Sequence, residues 1–182
     1  MKRARTGFVG LSQNSKVSYF NKFKACLNKA FKEHVIDYNP AEVVKGFKPS
    51  DTERQYLTAE EVKSLAETQC KYPELKRAFL FACFTGLRKS DITTLTWSEV
   101  QKFGDYTRLV FKQKKTGGQE YLDIPTVAEQ YLGERGDAHS TDLVFPMFRY
   151  SSETSLELRR WALCAGITKD FTFHCSRHTF AV

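Results

Sequence analysis

Three short segments hold the residues whose types could do chemistry together. Arg88 closes Thr85-Gly86-Leu87-Arg88, Lys115 lies within Gln113-Lys114-Lys115-Thr116-Gly117-Gly118, and His174 and Arg177 share His174-Cys175-Ser176-Arg177-His178. Such a set suits a phosphodiester. An arginine presents a planar fork that makes two parallel bonds to phosphate oxygens and keeps its charge. A lysine can give a proton to a leaving oxygen when neighbouring cations lower its pKa. A histidine can bond the phosphate or accept a proton. No metal or other cofactor is expected. His174 and His178 have the spacing of metal ligands, but Cys175 points elsewhere on a helix and no acidic third ligand is near in sequence.

Each residue also has a plainer reading. Arg88 could bond the terminal carbonyls of a helix, and Arg177 could pair with Asp91 or Glu157. Asp91 could be an ordinary carboxylate in the first turn of a helix. At least one of Lys112, Lys114 and Lys115 is a solvated lysine at a hairpin tip. Lys114 competes with Lys115 as proton donor, because adjacent residues on a strand face opposite sides.

The elements that must hold these groups follow from periodicity. A helix is predicted from Ser15, with Val17, Phe20, Phe23, Leu27, Ala30 and Phe31 as one apolar stripe and Lys22 and Lys29 on the other face. Asn39-Pro40 starts a short helix through Val44. Thr58 to Glu61 reads as a capping box opening a helix to about Gln69. Pro73 starts another, burying Leu75, Phe79, Leu80, Cys83 and Phe84 and ending at Gly86. Arg88 then stands just past a buried helix, with Asp91 in a short helix beyond it. Tyr106–Lys112 and Gln119–Ile124 form a hairpin. Helices are expected at Thr126–Leu132, at Ser155–Ala165 around Leu156, Leu158, Trp161, Leu163 and Cys164, and from Thr172 onward. Leu143–Phe145 is extended. The fold class is mainly α with a small antiparallel sheet (α+β).

Composition sets the frame. A chain of 182 residues, 41% hydrophobic with 15 Phe, can bury a core for one ordinary domain plus a small appendage. No run of about 18 apolar residues occurs, so no membrane span is expected. The basic N-terminus has no apolar segment after it, as a secretory signal requires. Five cysteines, an odd number without a C-x-x-C pair, fit reduced thiols in the cytoplasm, with Cys26 and Cys83 among apolar neighbours. Of the net charge of +7, residues 1–55 carry +6 (11 Lys/Arg, 5 Asp/Glu), and eight basic residues precede the first acid, Glu33. Such asymmetry points to an arm or small domain that meets a polyanion beside a nearly neutral body. A merely solubilising surface is the alternative.

Taken together, Thr85-Gly86-Leu87-Arg88 with Asp91, Lys115-Thr116-Gly117, and His174-x-x-Arg177-His178 resemble, in order and separation, the tyrosine recombinase (phage integrase) family, most closely integrases of bacterial mobile elements. The resemblance implies a catalytic domain over residues 56–182, a linker at 46–55, and part of a helical core-binding domain at 1–45. It implies Arg88 and Arg177 as phosphate-binding arginines, Lys115 as general acid and His174 as phosphate ligand or general base. Asp91 and His178 would support them. Lys16, Lys22, Lys24, Lys29 and Lys114 are candidate DNA contacts. The implied reaction is metal-independent cleavage and rejoining of double-stranded DNA through a 3′-phosphotyrosyl intermediate, on a tetramer in the full-length parent. The family's further helix, Gly-His motif and nucleophilic tyrosine lie beyond the last motif, whereas all eight tyrosines here, Tyr19 to Tyr150, precede it. The first half of the core-binding domain also lacks a counterpart. The sequence therefore reads as a fragment cut at both ends, monomeric and inactive in cleavage, or alternatively as a non-catalytic DNA-binding remnant or regulator.

Overall fold

The computed structural model describes residues 10–51, 53–113, 117–170 and 172–181. The chain separates into two compact units, residues 1–53 and 54–182.

In the first unit, helix α1 (Gln13–Lys32) begins where the Ser12 hydroxyl accepts from the Ser15 amide. A 3-10 turn over Pro40–Glu42 follows the Asn39 cap, whose side chain accepts from the Ala41 amide at 3.1 Å. This is shorter than the helix to Val44 that the proline signal suggested. The side chains of Gln13 and Asn14 bond the backbone at Lys48 and Ser50, pinning the extended segment after the turn. The apolar stripe of α1 exists, but no residue of the helix is buried, and Phe23 is 62% exposed. One short 3-10 turn and the Phe20–Phe47 ring contact cannot cover a 20-residue face. Cys26 is likewise exposed, although Ala25 and Leu27 flank it.

The second unit is built around α3 (Pro73–Thr85), which enters through proline at its first turn and buries nearly every side chain from Ala78 to Thr85. Phe84 is the exception and lies half-buried, stacked on Tyr131. Helix α2 (Ala59–Glu67) opens with the predicted capping box: the Thr58 amide donates to Glu61 Oε2 at 2.8 Å, and the Glu61 amide donates to Thr58 Oγ1 at 3.3 Å. Glu61 also receives Lys169 Nζ at 2.7 Å. Past α3 come α4 (Lys89–Ile92) and an antiparallel sheet in the order β1 (Val100–Phe103), β2 (Tyr106–Lys112), β3 (Gln119–Ile124). The hairpin β2–β3 has the predicted bounds. Strand β1 is an addition, joined to β2 by Gly104-Asp105 with Gly104 at φ 56°. That dipeptide is itself a two-residue turn signal. On β2, Thr107, Leu109 and Phe111 alternate inward, and Arg108 forks onto Asp123 of β3 at 2.6 and 2.8 Å.

Helices α5 (Thr126–Leu132), α6 (Ser152–Cys164) and α7 (Cys175–Phe180) complete the unit. Helix α6 starts three residues earlier than its apolar pattern suggests, because Ser151 and Thr154 cap each other. Its buried stripe is Leu158, Trp161 and Ala162, at offsets of three and four. Leu156, Leu163 and Cys164 fall outside that arc and are exposed. Arg77 ties α3 to its surroundings, donating to the carbonyls of Leu132 (3.2 Å) and Val144 (2.6 Å) and to Glu74 (2.9 Å). Phe79 sits at the centre, edge-on to Trp161 at 5.9 Å and to Phe173 at 5.4 Å, with no exposed surface. Burial drives the Cys83 thiol far above its ordinary value, with the nearby Cys175 adding to the shift, so Cys83 is an inert core residue. No helix among the described residues is long and apolar enough to cross a membrane.

Phe79→Ala should destabilise the chain by about 3–5 kcal/mol, because the ring leaves a cavity that three elements line and cannot close; chemical denaturation measures it. Glu61 gives a pH signature. Burial opposes its charge, but the bonds from Lys169 and the Thr58 amide outweigh that and hold the carboxyl below its ordinary 4.5. A folded-state value below the unfolded one adds stability above the unfolded value that is lost as pH falls through the folded one. Thermal unfolding between about pH 5 and pH 3 should therefore fall more steeply for the parent than for Glu61→Gln.

Candidate active site

Helix α3 stops because Gly86 takes φ 66° and ψ 10°, a left-handed conformation that side chains resist. Its amide still bonds the Ala82 carbonyl at 2.9 Å. Leu87 is buried next, and Arg88 becomes the N-terminal flank of α4, its carbonyl accepting from the amides of Asp91 (2.9 Å) and Ile92 (3.1 Å). The Arg88 backbone is thus held on both sides. Its guanidinium donates through Nη1 to Gln113 Oε1 at 2.5 Å, not to the carbonyls at the end of α3. Gln113 Nε2 in turn donates to Glu120 Oε1 at 2.9 Å. Neither Gln113 nor Glu120 is among the sequence-derived candidates. A bond spanning 25 residues has no periodic signature.

Arg177 arrives on α7. Ser176 and Thr179 brace that helix by donating to the carbonyls of Phe173 (2.7 Å) and Cys175 (3.0 Å), and Thr179 Oγ1 accepts the Leu57 amide at 3.0 Å. Arg177 Nη1 donates to the Gly86 carbonyl at 3.0 Å, bringing it within two residues of Arg88 along the chain. Glu157, an alternative partner, is buried and accepts the Lys71 amide instead. A Cβ at Gly86 would meet Phe180 Cδ1 at 2.5 Å, so the glycine also admits the end of α7. His174 is exposed at the start of α7, and its ring meets that of His178 edge-on at 4.9 Å. Asp91 is buried in α4, with the Ser90 hydroxyl 3.4 Å from Oδ1.

Lys114 and Lys115 lie outside the described residues. Their flanks are closed: the Gln113 amide donates to the Gly118 carbonyl at 2.9 Å and the Gly117 amide to the Gln113 carbonyl at 2.8 Å, with Gly117 at φ 72°. A cavity of about 350 Å³ is lined among others by Gly86, Gln113, Glu120, Tyr121, Arg177 and Phe180, with Arg88 and His174 outside its lining. Among the described residues no three His, Cys, Asp or Glu side chains group closely enough to hold a metal.

On α1, Lys16, Lys22 and Lys29 are exposed, Lys22 lying 5.9 Å from the centre of the Tyr19 ring and Lys29 pairing with Glu33 at 3.6 Å. Lys24 instead lines a small apolar groove with Phe20, Phe23, Leu27, Ala41 and Val44.

Residues 55–182 match the phage integrase family, and residues 2–48 match the phage integrase SAM-like domain. The integrase of Salmonella phage P22 is 27% identical over 184 residues, covering 92% of this chain and 46% of that protein, so the chain spans about half the length of this relative. A lambda integrase dimer bound to a COC′ core site superposes with TM-score 0.71 at 20% identity, covering 93% of this chain and 63% of that one. XerH site-specific recombinase bound to a palindromic difH substrate, in a post-cleavage complex, gives 0.70 at 17% identity, covering 94% and 54%. These structures share the fold.

Gly86→Ala should cost about 1–3 kcal/mol, through forced left-handed backbone and the clash with Phe180. Thermal unfolding of the purified variant measures it.

Proposed function

The chain belongs to the phage integrase family, and from the cations gathered at the end of α3 we propose that it takes part in site-specific recombination of double-stranded DNA. The observation that carries this reading is the bond from Arg177 to the Gly86 carbonyl. It brings the arginine of the last motif to the turn that presents Arg88, around a cavity whose far wall is the stem of the Lys115 hairpin.

In this reading Arg88 and Arg177 neutralise the non-bridging oxygens of the scissile phosphate, and that stabilisation grows as charge develops in the transition state. Lys115 gives a proton to the leaving 5′ oxygen, with Lys114 as the competing donor. His174, exposed just before α7, bonds the phosphate. Asp91 and His178 hold the cluster in place. The protein's part is metal-independent, because fixed cations supply the charge that a metal ion would supply elsewhere. None of the eight tyrosines takes the nucleophile's role. Residues 54–182 supply the phosphate-binding residues of the site. Residues 1–45 supply core-binding contacts, with Lys16, Lys22 and Lys29 on phosphates and Lys24 beside them. These contacts set position on the duplex rather than sequence choice.

The 182-residue chain should bind a fluorescein-labelled duplex with strong salt dependence, the slope of log K against log salt falling by about one for each phosphate-contacting lysine replaced by alanine. Arg88→Ala and Arg177→Ala should each weaken binding. A denaturing gel should reveal no covalent protein–DNA band. Affinity indifferent to salt would sink the DNA reading, and a covalent band would overturn the exclusion of the chain's own tyrosines.

A further inference from the structure

The three residues Arg88, Gln113 and Glu120 form a directed chain. Arg88 Nη1 donates to Gln113 Oε1, and Gln113 Nε2 donates to Glu120 Oε1. The direction is enforced by chemistry. A guanidinium only donates and an ionised carboxylate only accepts, so the amide between them has one satisfying orientation. The backbone holds the amide as firmly. Gln113 closes the hairpin neck through bonds to Gly117 and Gly118, and Glu120 stands on β3 opposite Phe111.

We propose that Gln113 is a positioning residue for Arg88, holding the guanidinium against the hairpin without cancelling its charge, while Glu120 sets the orientation of the amide. This rests on the phosphate-binding role given to Arg88 above. The choice of amide over acid at 113 is the informative point. A carboxylate there would hold the arginine by a stronger, charge-assisted bond. It would also place a negative charge beside the phosphate and beside Glu120. A neutral acceptor restricts the side chain and leaves its full charge for the ligand. Glu120 exerts its pull one residue further away. The link also ties Arg88 to the neck of the hairpin, at Gln113 and Glu120.

Two measurements on the 182-residue chain test this. The first is the ¹H–¹⁵N signal of the Arg88 guanidinium, assigned by its loss in Arg88→Ala. It should broaden or shift in Gln113→Ala, and should stay ordered in Gln113→Glu. The second is affinity for a labelled DNA duplex at fixed salt. Gln113→Ala should lose roughly threefold to tenfold, the usual yield of one intramolecular hydrogen bond. Gln113→Glu should lose more, although it holds the arginine at least as well, and Glu120→Gln should remain near the parent because its amide oxygen can still accept. A merely structural role predicts the reverse order for the 113 variants. In an Arg88→Ala background the Gln113→Ala loss should disappear. An unchanged Arg88 signal in Gln113→Ala, or a Gln113→Glu chain that binds like the parent, overturns the proposal. An Arg88→Ala chain that binds as tightly as the parent overturns the phosphate role of Arg88 and the proposal with it. That result is distinct from failure at Gln113 alone.

Discussion

Where α3 ends, Gly86 turns left-handed, and three consequences meet at this residue. The turn releases the chain from a buried helix and sets Arg88 at its next rigid point. The missing side chain admits Phe180, and the carbonyl accepts Arg177. Any larger residue would be strained in that backbone and would displace the Phe180 ring. The two arginines are therefore located by one backbone feature, and their geometry inherits the rigidity of α3 rather than that of a loop.

The core makes that rigidity possible. Helix α3 is apolar almost all round, which suits a central helix and not a surface one. Phe79 meets rings from α6 and from the segment before α7, so the helix that leads to Arg88 and the helix that carries Arg177 rest on the same cluster. Polar ties finish the assembly where apolar packing has no directional preference. Arg77 binds two backbone carbonyls, and Thr179 takes the Leu57 amide. Electrostatics then acts on a fixed frame. Arg88 and Arg177 each have a bond to a neutral oxygen, from an amide side chain and from the backbone, which orders a cation while leaving it able to attract an anion.

Much of the local structure was legible in the residues. The capping box at Thr58, the proline entry to α3, the glycine exit at Gly86 and the bounds of β2 and β3 are signals within a few positions of each other, and each reflects a backbone group needing a partner or a φ angle needing a glycine. Strand β1 was equally legible through Gly104-Asp105 but requires weighing a weak four-residue strand. The exposure of α1 and the misassigned face of α6 have a different cause. Periodicity states that a helix has an apolar face, not whether anything covers it, and on α6 two competing arcs of leucines differ only in what lies opposite.

The sequence by itself determined which residue types were available for phosphate chemistry, their order along the chain, and the helices and hairpin that carry them, because capping, turn geometry and apolar spacing act over a few residues. Tertiary structure decided that Arg177 reaches the Gly86 carbonyl across 91 positions and that Arg88 is held by Gln113 across 25. It likewise decided that the end of α3, the second half of α7 and the hairpin neck share one cavity. Contacts between distant segments depend on how whole elements stack on a common core, and no local pattern of residues encodes that stacking.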